Sequence, residues 1–206
     1  MYTCKEMRDI VKNRLRYSPR KENIQDRDYF DLIKRGVKRL HRIVVNINNS
    51  FYKKVHAQYI IHSDPTDVVA FPADLYKVIS WKSHPTAAIG NGVISSTHYG
   101  ESISWTEIDN GSNRGLMQLE RAKDVDSAQD IEGSLMYVRE PDMPTTWAST
   151  PDIPDGYDDW LIQYVFCECM IQIGNPQYDM AKLKELDQMV LQSSRREGAA
   201  GQTAAS

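Results

Sequence analysis

Apolar residues fall at helical spacing at both ends of this chain and at strand spacing in its middle. Thr3-Cys4-Lys5-Glu6 reads as a capping box, with Thr3 as the cap and Glu6 reaching back. Met7, Ile10, Val11 and Leu15 then share one face of a first helix, which Pro19 ends. The polar stretch from Arg20 to Arg27 predicts a loop. Asp26 or Asp28 can cap a second, longer helix. Its apolar positions are Tyr29, Ile33, Val37, Leu40, Val44 and Ile47, spaced by three or four residues. That narrow stripe suits packing between neighbouring helices. Lys34, Arg35, Lys38, Arg39 and Arg42 point elsewhere, and Asn46, Asn48 and Asn49 mark the exit.

From Phe51 the period changes. Ala57 to Ile61 and Asp67 to Phe71 predict strands with a turn at Asp64-Pro65. Leu75 to Trp81 follows with β-type residues after Pro72-Ala73-Asp74. Gly90-Asn91-Gly92 and Asp109-Asn110-Gly111 are turn signals, and Ser102 to Trp105 alternates between them. Leu135 to Val138 is a further short strand. Residues 52–140 therefore predict an antiparallel sheet or small barrel with long polar loops.

Pro141, Pro144, Pro151 and Pro154 make residues 141–154 an extended connector. Asp155 can cap a helix from about Gly156 to Ile173. Trp160, Leu161, Tyr164, Val165, Phe166, Met170 and Ile171 leave it a limited polar face, which marks it as the central core helix. Gly174 stops it, and Asn175-Pro176 offers an N-cap and first turn for one more helix. Leu183, Leu186 and Val190 give that last helix a buried stripe. Residues 194–206 contain no bulky apolar side chain and cannot form a core of their own, which predicts a flexible tail.

The resulting fold class is α+β: a helical bundle from the N- and C-terminal segments, a central antiparallel β-rich insert and an extended C-terminal tail. Residues 1–51 supply the first helices of the body and 52–140 the insert. Residues 141–193 supply the connector and closing helices, and 194–206 the tail.

With 206 residues and a hydrophobic fraction of 41%, the chain can bury a core. No apolar run approaches the ~20 residues of a membrane span. Met1 to Glu6 lacks the apolar stretch of a secretory signal, so synthesis in the cytosol is expected. The net charge of −3 hides a split: residues 1–54 carry 15 Lys and Arg against 6 Asp and Glu, whereas residues 55–206 carry 10 against 22. Such asymmetry suits a face near nucleic acid, a self-complementary surface between subunits, or a solvated basic helix.

Candidate chemistry is sparse. Of the three cysteines, Cys167 and Cys169 lie about 200° apart around one helix and cannot pair; with Cys4 they read as small buried hydrophobes. His41, His56, His62, His84 and His98 lack metal-ligand spacing, and His41 reads as a surface residue of a charged helix. Asp152, Asp155, Asp158 and Asp159 suit a helix N-terminus better than an acid–base pair. Trp81, Trp105, Tyr99 and Tyr76 could stack on bases, but their acidic surroundings favour core packing. Neither a catalytic set nor a cofactor is expected.

Three stretches together resemble the head-to-tail adaptor (connector) proteins of tailed bacteriophages. They are the capped first helix with the long second helix, the punctuation Phe71-Pro72-Ala73-Asp74-Leu75-Tyr76-Lys77-Val78-Ile79, and the proline-led helix Ile153-Pro154-Asp155-Gly156-Tyr157-Asp158-Asp159-Trp160-Leu161-Ile162. The resemblance implies a structural virion protein in the neck between head and tail, assembled in the host cytoplasm. It implies a homo-oligomeric ring, commonly of about twelve copies, beneath the portal protein. Such a ring extends the channel for genomic DNA, without sequence specificity, and offers a platform to a tail nozzle or tail-tube protein. The tail along the portal would be Arg195, Arg196, Gly198, Ala199, Ala200, Gly201, Gln202, Thr203, Ala204, Ala205 and Ser206. Lys34, Arg35, Lys38, Arg39 and Arg42 would face the channel or a neighbouring subunit. The alternative is a nucleic-acid-binding module built on the basic N-terminal helices.

Overall fold

The computed structural model describes residues 1–47, 50–61, 68–83, 105–109, 114–118 and 131–203. They divide into two compact units, Met1–Phe51 with Pro141–Ser206, and Tyr52–Glu140. The fold is mixed α+β, with four α-helices and small antiparallel sheets among the described residues.

The first unit is helical. Helix α1 (Cys4–Arg14) starts as its sequence predicts: the Glu6 backbone N–H donates to Thr3 Oγ1 at 3.3 Å, and the Thr3 N–H donates to Glu6 Oε2 at 2.7 Å. Its face of Cys4, Met7 and Val11 is fully buried. A 3₁₀ turn at Lys21–Asn23 interrupts the polar loop. Helix α2 (Asp26–Asn46) is capped at Gln25, whose N–H donates to Asp28 Oδ2 at 2.8 Å. Asp26 instead pairs with Lys12 and Arg8 of α1.

The stripe on α2 is wider than its apolar residues announce. Leu32, Gly36 and His41 are buried beside Tyr29, Ile33, Val37, Leu40 and Val44, and Ile47 is half-buried. The surface reading of His41 is corrected: it sits beside Leu40 on a helix packed against α1, α3 (Asp158–Gln172) and α4 (Met180–Thr203), and only 2% of it is exposed. At Gly36 α2 and α3 come close. A Cβ there would lie 2.8 Å from Tyr164 Cδ1 and collide with Leu161 Cδ1.

Helix α3 buries eight of its residues, among them Trp160, Leu161, Val165, Cys167 and Cys169, and touches all three other helices. It is the core helix, each fully buried aliphatic side chain contributing roughly 1.5–3 kcal/mol. Its start differs from the Asp155 cap expected from sequence. Gly156 turns the chain with φ +86°, so the N-cap falls on Tyr157, and Asp158 and Asp159 occupy the first turn. Its end is a Schellman motif. Gly174 at φ +75° donates to the Ile171 carbonyl, and Asn175 donates to that of Met170, both at 3.0 Å. Asn175-Pro176 forms a turn, its Oδ1 accepting from Gln177 N–H. The cap of α4 is Asp179, whose Oδ1 accepts from Ala181 and Lys182. Trp160 Nε1–H donates to the Leu186 carbonyl at 3.0 Å, tying α3 to α4. The proline-rich connector is strapped to the start of α1 by Cys4 N–H to Ser149 O and Lys5 N–H to Trp147 O.

Among the described residues the second unit holds two sheets. Strands β1 (Lys53–Ile61), β2 (Leu75–Ser83) and β5 (Ile131–Arg139) form an antiparallel sheet ordered β1-β5-β2, while β3 (Trp105–Asp109) pairs with β4 (Arg114–Gln118). Tyr59, Ile61, Val78, Trp81, Leu116, Leu135 and Tyr137 make its core. The Tyr59 hydroxyl donates to the Val69 carbonyl at 2.6 Å and accepts from Leu116 N–H. Over the described residues 68–71 the strand expected at Asp67 to Phe71 does not form: the Phe71 N–H reaches the Arg114 carbonyl of β4, and Pro72, which has no N–H, cannot continue the ladder. The turns expected at Asp64-Pro65, Gly90-Asn91-Gly92 and Asn110-Gly111 lie outside the described residues, as do Asp67, Ser102, Ile103 and Ser104.

Candidate functional site

The five basic residues singled out on α2, Lys34, Arg35, Lys38, Arg39 and Arg42, separate into two groups. Arg35, Lys38 and Arg42 are exposed at positions i, i+3 and i+7, and so share one face. Among the described residues none of the three makes an ion pair, and Asp31 lies one turn before Arg35. The other two are spent within the body. Arg39 meets Asp187 of α4 through Nε at 3.0 Å from Oδ1 and Nη2 at 2.7 Å from Oδ2; the carboxylate raises the guanidinium's affinity for its proton. The same guanidinium lies 5.7 Å from the Tyr164 ring centroid. The Lys34 ammonium lies 4.5 Å from that of Phe30.

Helix α4 continues through Thr203, so Arg195, Arg196, Gly198, Ala199, Ala200, Gly201, Gln202 and Thr203 carry helical backbone; Ala204, Ala205 and Ser206 lie outside the described residues. The helix runs past Ser193 because Arg195, Arg196, Glu197, Ala199 and Ala200 are good helix formers. Anchoring and propensity part company here. The buried positions described on α4 are Leu183, Leu186 and Val190, and residues 194–203 offer no bulky apolar side chain to extend them.

A cleft of about 400 Å³ opens between α3 and α4, lined by Arg14, Tyr157, Trp160, Gln163, Leu186 and Met189 among others. Arg14 Nη1 donates to Gln163 Oε1 at 3.0 Å at its edge, and Met189 is 63% exposed.

The reactive residue types sit in inert surroundings. Burial pushes the Cys4 thiol up to about 11 and the Cys169 thiol up to about 12, and raises Cys167 as well, so all three are protonated near neutrality. Among the described residues no group of three His, Cys, Asp or Glu could hold a metal ion, and no helix is long and apolar enough to cross a membrane. His56 is exposed; His62, His84 and His98 lie outside the described residues. Trp81 is a core residue, its Nε1–H donating to the Tyr59 carbonyl at 3.2 Å, whereas Tyr76 is 44% exposed. Tyr99 and the Trp105 side chain lie outside the description.

Sequence reasoning overlooked two clusters. One is Asp74, whose Oδ2 accepts from Lys54 Nζ at 2.8 Å and whose Oδ1 accepts from the Tyr137 hydroxyl at 2.9 Å. Only Asp74 itself, inside the Phe71 to Ile79 punctuation, hinted at it. The other is the end of α1 and the turn after it, where Arg14, Arg16, Arg20 and Lys21 crowd into eight residues around Tyr17; their local charge density was the signal.

Comparison with protein-family models finds no match to this chain, and comparison with curated proteins finds none.

Proposed function

We propose that this protein is a structural subunit of a tailed-bacteriophage neck, a head-to-tail adaptor. Copies of it form a ring beneath the portal that extends the DNA channel and gives the tail nozzle or tail tube its platform. The feature that carries the reading is the end of the chain, where the α4 backbone runs to Thr203 while residues 194–206 contain no bulky apolar residue. A helix with good propensity and no apolar stripe is suited to lie on a partner protein.

Two further features support it. Both ends of the chain build one helical body, while the strands of residues 52–140 form a compact unit of their own, free to serve a different partner. The exposed row of Arg35, Lys38 and Arg42 suits either a channel lining that holds DNA without reading it or the acidic edge of a neighbouring copy. The reading requires binding surfaces and no covalent step.

The experiment is deletion of residues 194–206. The shortened chain keeps the melting temperature of the full chain and fails to bind portal rings. Undiminished portal binding would remove α4 from the docking role.

That same basic row favours a second reading, a nucleic-acid-binding module. Duplex DNA binding measured against salt separates the two: a dedicated binder contacting three phosphates gives a log–log slope near about −2.7.

A further inference from the structure

The end of α1 and the turn that follows it hold Arg14, Arg16, Arg20 and Lys21, all exposed, with Glu22 as the one acid from 14 to 22. Among the described residues none of the four basic side chains makes an ion pair. Arg14 is held by the neutral Gln163, and Lys21 Nζ donates to the Arg16 carbonyl at 2.6 Å, which braces the turn. The four cations are close in sequence; Arg14 stands in the last turn of α1 and Arg20 Nη1 lies beside Gly174 at the C-terminal end of α3, where helix dipoles favour positive charge, and among the described residues no carboxylate pairs with any of them.

At the centre of the cluster stands Tyr17, 89% exposed, with the Arg16 guanidinium 5.7 Å from its ring centroid. A tyrosine left this open forgoes the burial that normally stabilises an aromatic residue. The backbone adds a third sign. Arg20 has φ 61° and ψ 18°, and among the described residues it is the one non-glycine with positive φ. A left-handed arginine is an unfavourable choice where glycine would serve, and such strain concentrates at binding sites. Beside the turn a cleft of about 410 Å³ is lined by Lys12, Asn13, Arg16, Lys21 and Tyr29 among others.

We infer that this turn is a contact for a single nucleic-acid strand: Arg16, Arg20 and Lys21 take phosphates, and the face of Tyr17 stacks on a base. An acidic peptide would satisfy the cations but leave the ring uncovered, and a duplex conceals the faces of its bases. A strand offers phosphates and an open π-face together. The inference is independent of the adaptor reading, in which the DNA passes as a duplex and touches the α2 row.

The test uses the full chain and fluorescence anisotropy with a labelled oligothymidine of about 16 nucleotides, beside a duplex of equal length. The single strand binds the tighter, with a salt slope near about −2 for three phosphates. Tyr17→Ala weakens it about tenfold, whereas Tyr17→Phe stays within about twofold, since the ring and not the hydroxyl stacks. R16E/R20E removes binding, and R35E/K38E/R42E leaves it. Circular dichroism melts of these exposed-site variants match the parent. Failure to bind the strand, a preference for duplex, an unchanged affinity in Tyr17→Ala, or loss of binding only in the α2 triple variant would each overturn the inference.

Discussion

Arg39 and Asp187 face each other as a two-pronged ion pair that fastens α2 to α4, with 27% and 23% of their side chains exposed. The pair engages Arg39 of the α2 basic row and fixes the stretch of α4 around Asp187. Asp187→Asn should cost about 1–2 kcal/mol in urea unfolding, because a half-buried guanidinium loses its charged acceptor. Arg39→Met with Asp187→Leu should recover most of that loss, since removing both charges removes the stranded one. An unchanged midpoint in Asp187→Asn would show that solvent already screens the pair.

Gly36 sets how closely α2 and α3 approach. A glycine inside a helix normally costs about 1 kcal/mol against alanine, so Gly→Ala at such a place is usually stabilising. Here the added methyl meets the Tyr164 ring and the buried Leu161. Gly36→Ala should therefore destabilise by about 1–3 kcal/mol, and Gly36→Val by more. Thermal melts of the two variants against the parent check the order; a stabilised Gly36→Ala would mean that the helices can separate freely.

The strand unit should weaken in acid through Asp74. Hydrogen bonding from Lys54, followed by that from the Tyr137 hydroxyl, holds the Asp74 carboxyl below the usual range; burial and then Asp74 push Tyr137 up to about 12. A depressed folded value means that the stabilisation is fully present above the unfolded carboxylate value of about 4 and is lost as pH falls through the folded one. Asp74→Asn should lower the urea midpoint at pH 7, and the gap from the parent should narrow at an acid pH below the depressed folded value of that carboxylate. A constant gap between the two proteins at both pH values would refute the assignment.

The helices were legible because their stripes and signals are local. Thr3 and Glu6 cap α1 as their spacing predicts, and Gly174 stops α3 where only a left-handed residue fits. The caps of α3 and α4 moved by two to four residues because the choice between Asp155 and Tyr157, or Asn175 and Asp179, depends on which turn the chain makes just before. Strand β4 escaped notice because Gly115 interrupts a short segment. The glycine is there for a long-range reason: a Cβ would meet the Tyr59 hydroxyl at 2.7 Å and collide with Val69. His41 misled for a related cause, since a helix covered by three others buries more than its apolar stripe. Of the candidate surface, the row on α2 could be read from charge spacing. That Arg39 was committed to Asp187, 148 residues away, could not.

The central claim is that this molecule works as one copy among several between a portal and a tail. Mass measurement of the purified full chain, alone and mixed with portal rings of its own virion, tests it most directly. The account predicts a discrete complex in which a ring's worth of copies, about twelve, joins each portal, and none joins when residues 194–206 are removed. A chain that remains monomeric beside the portal at every concentration tried would contradict it.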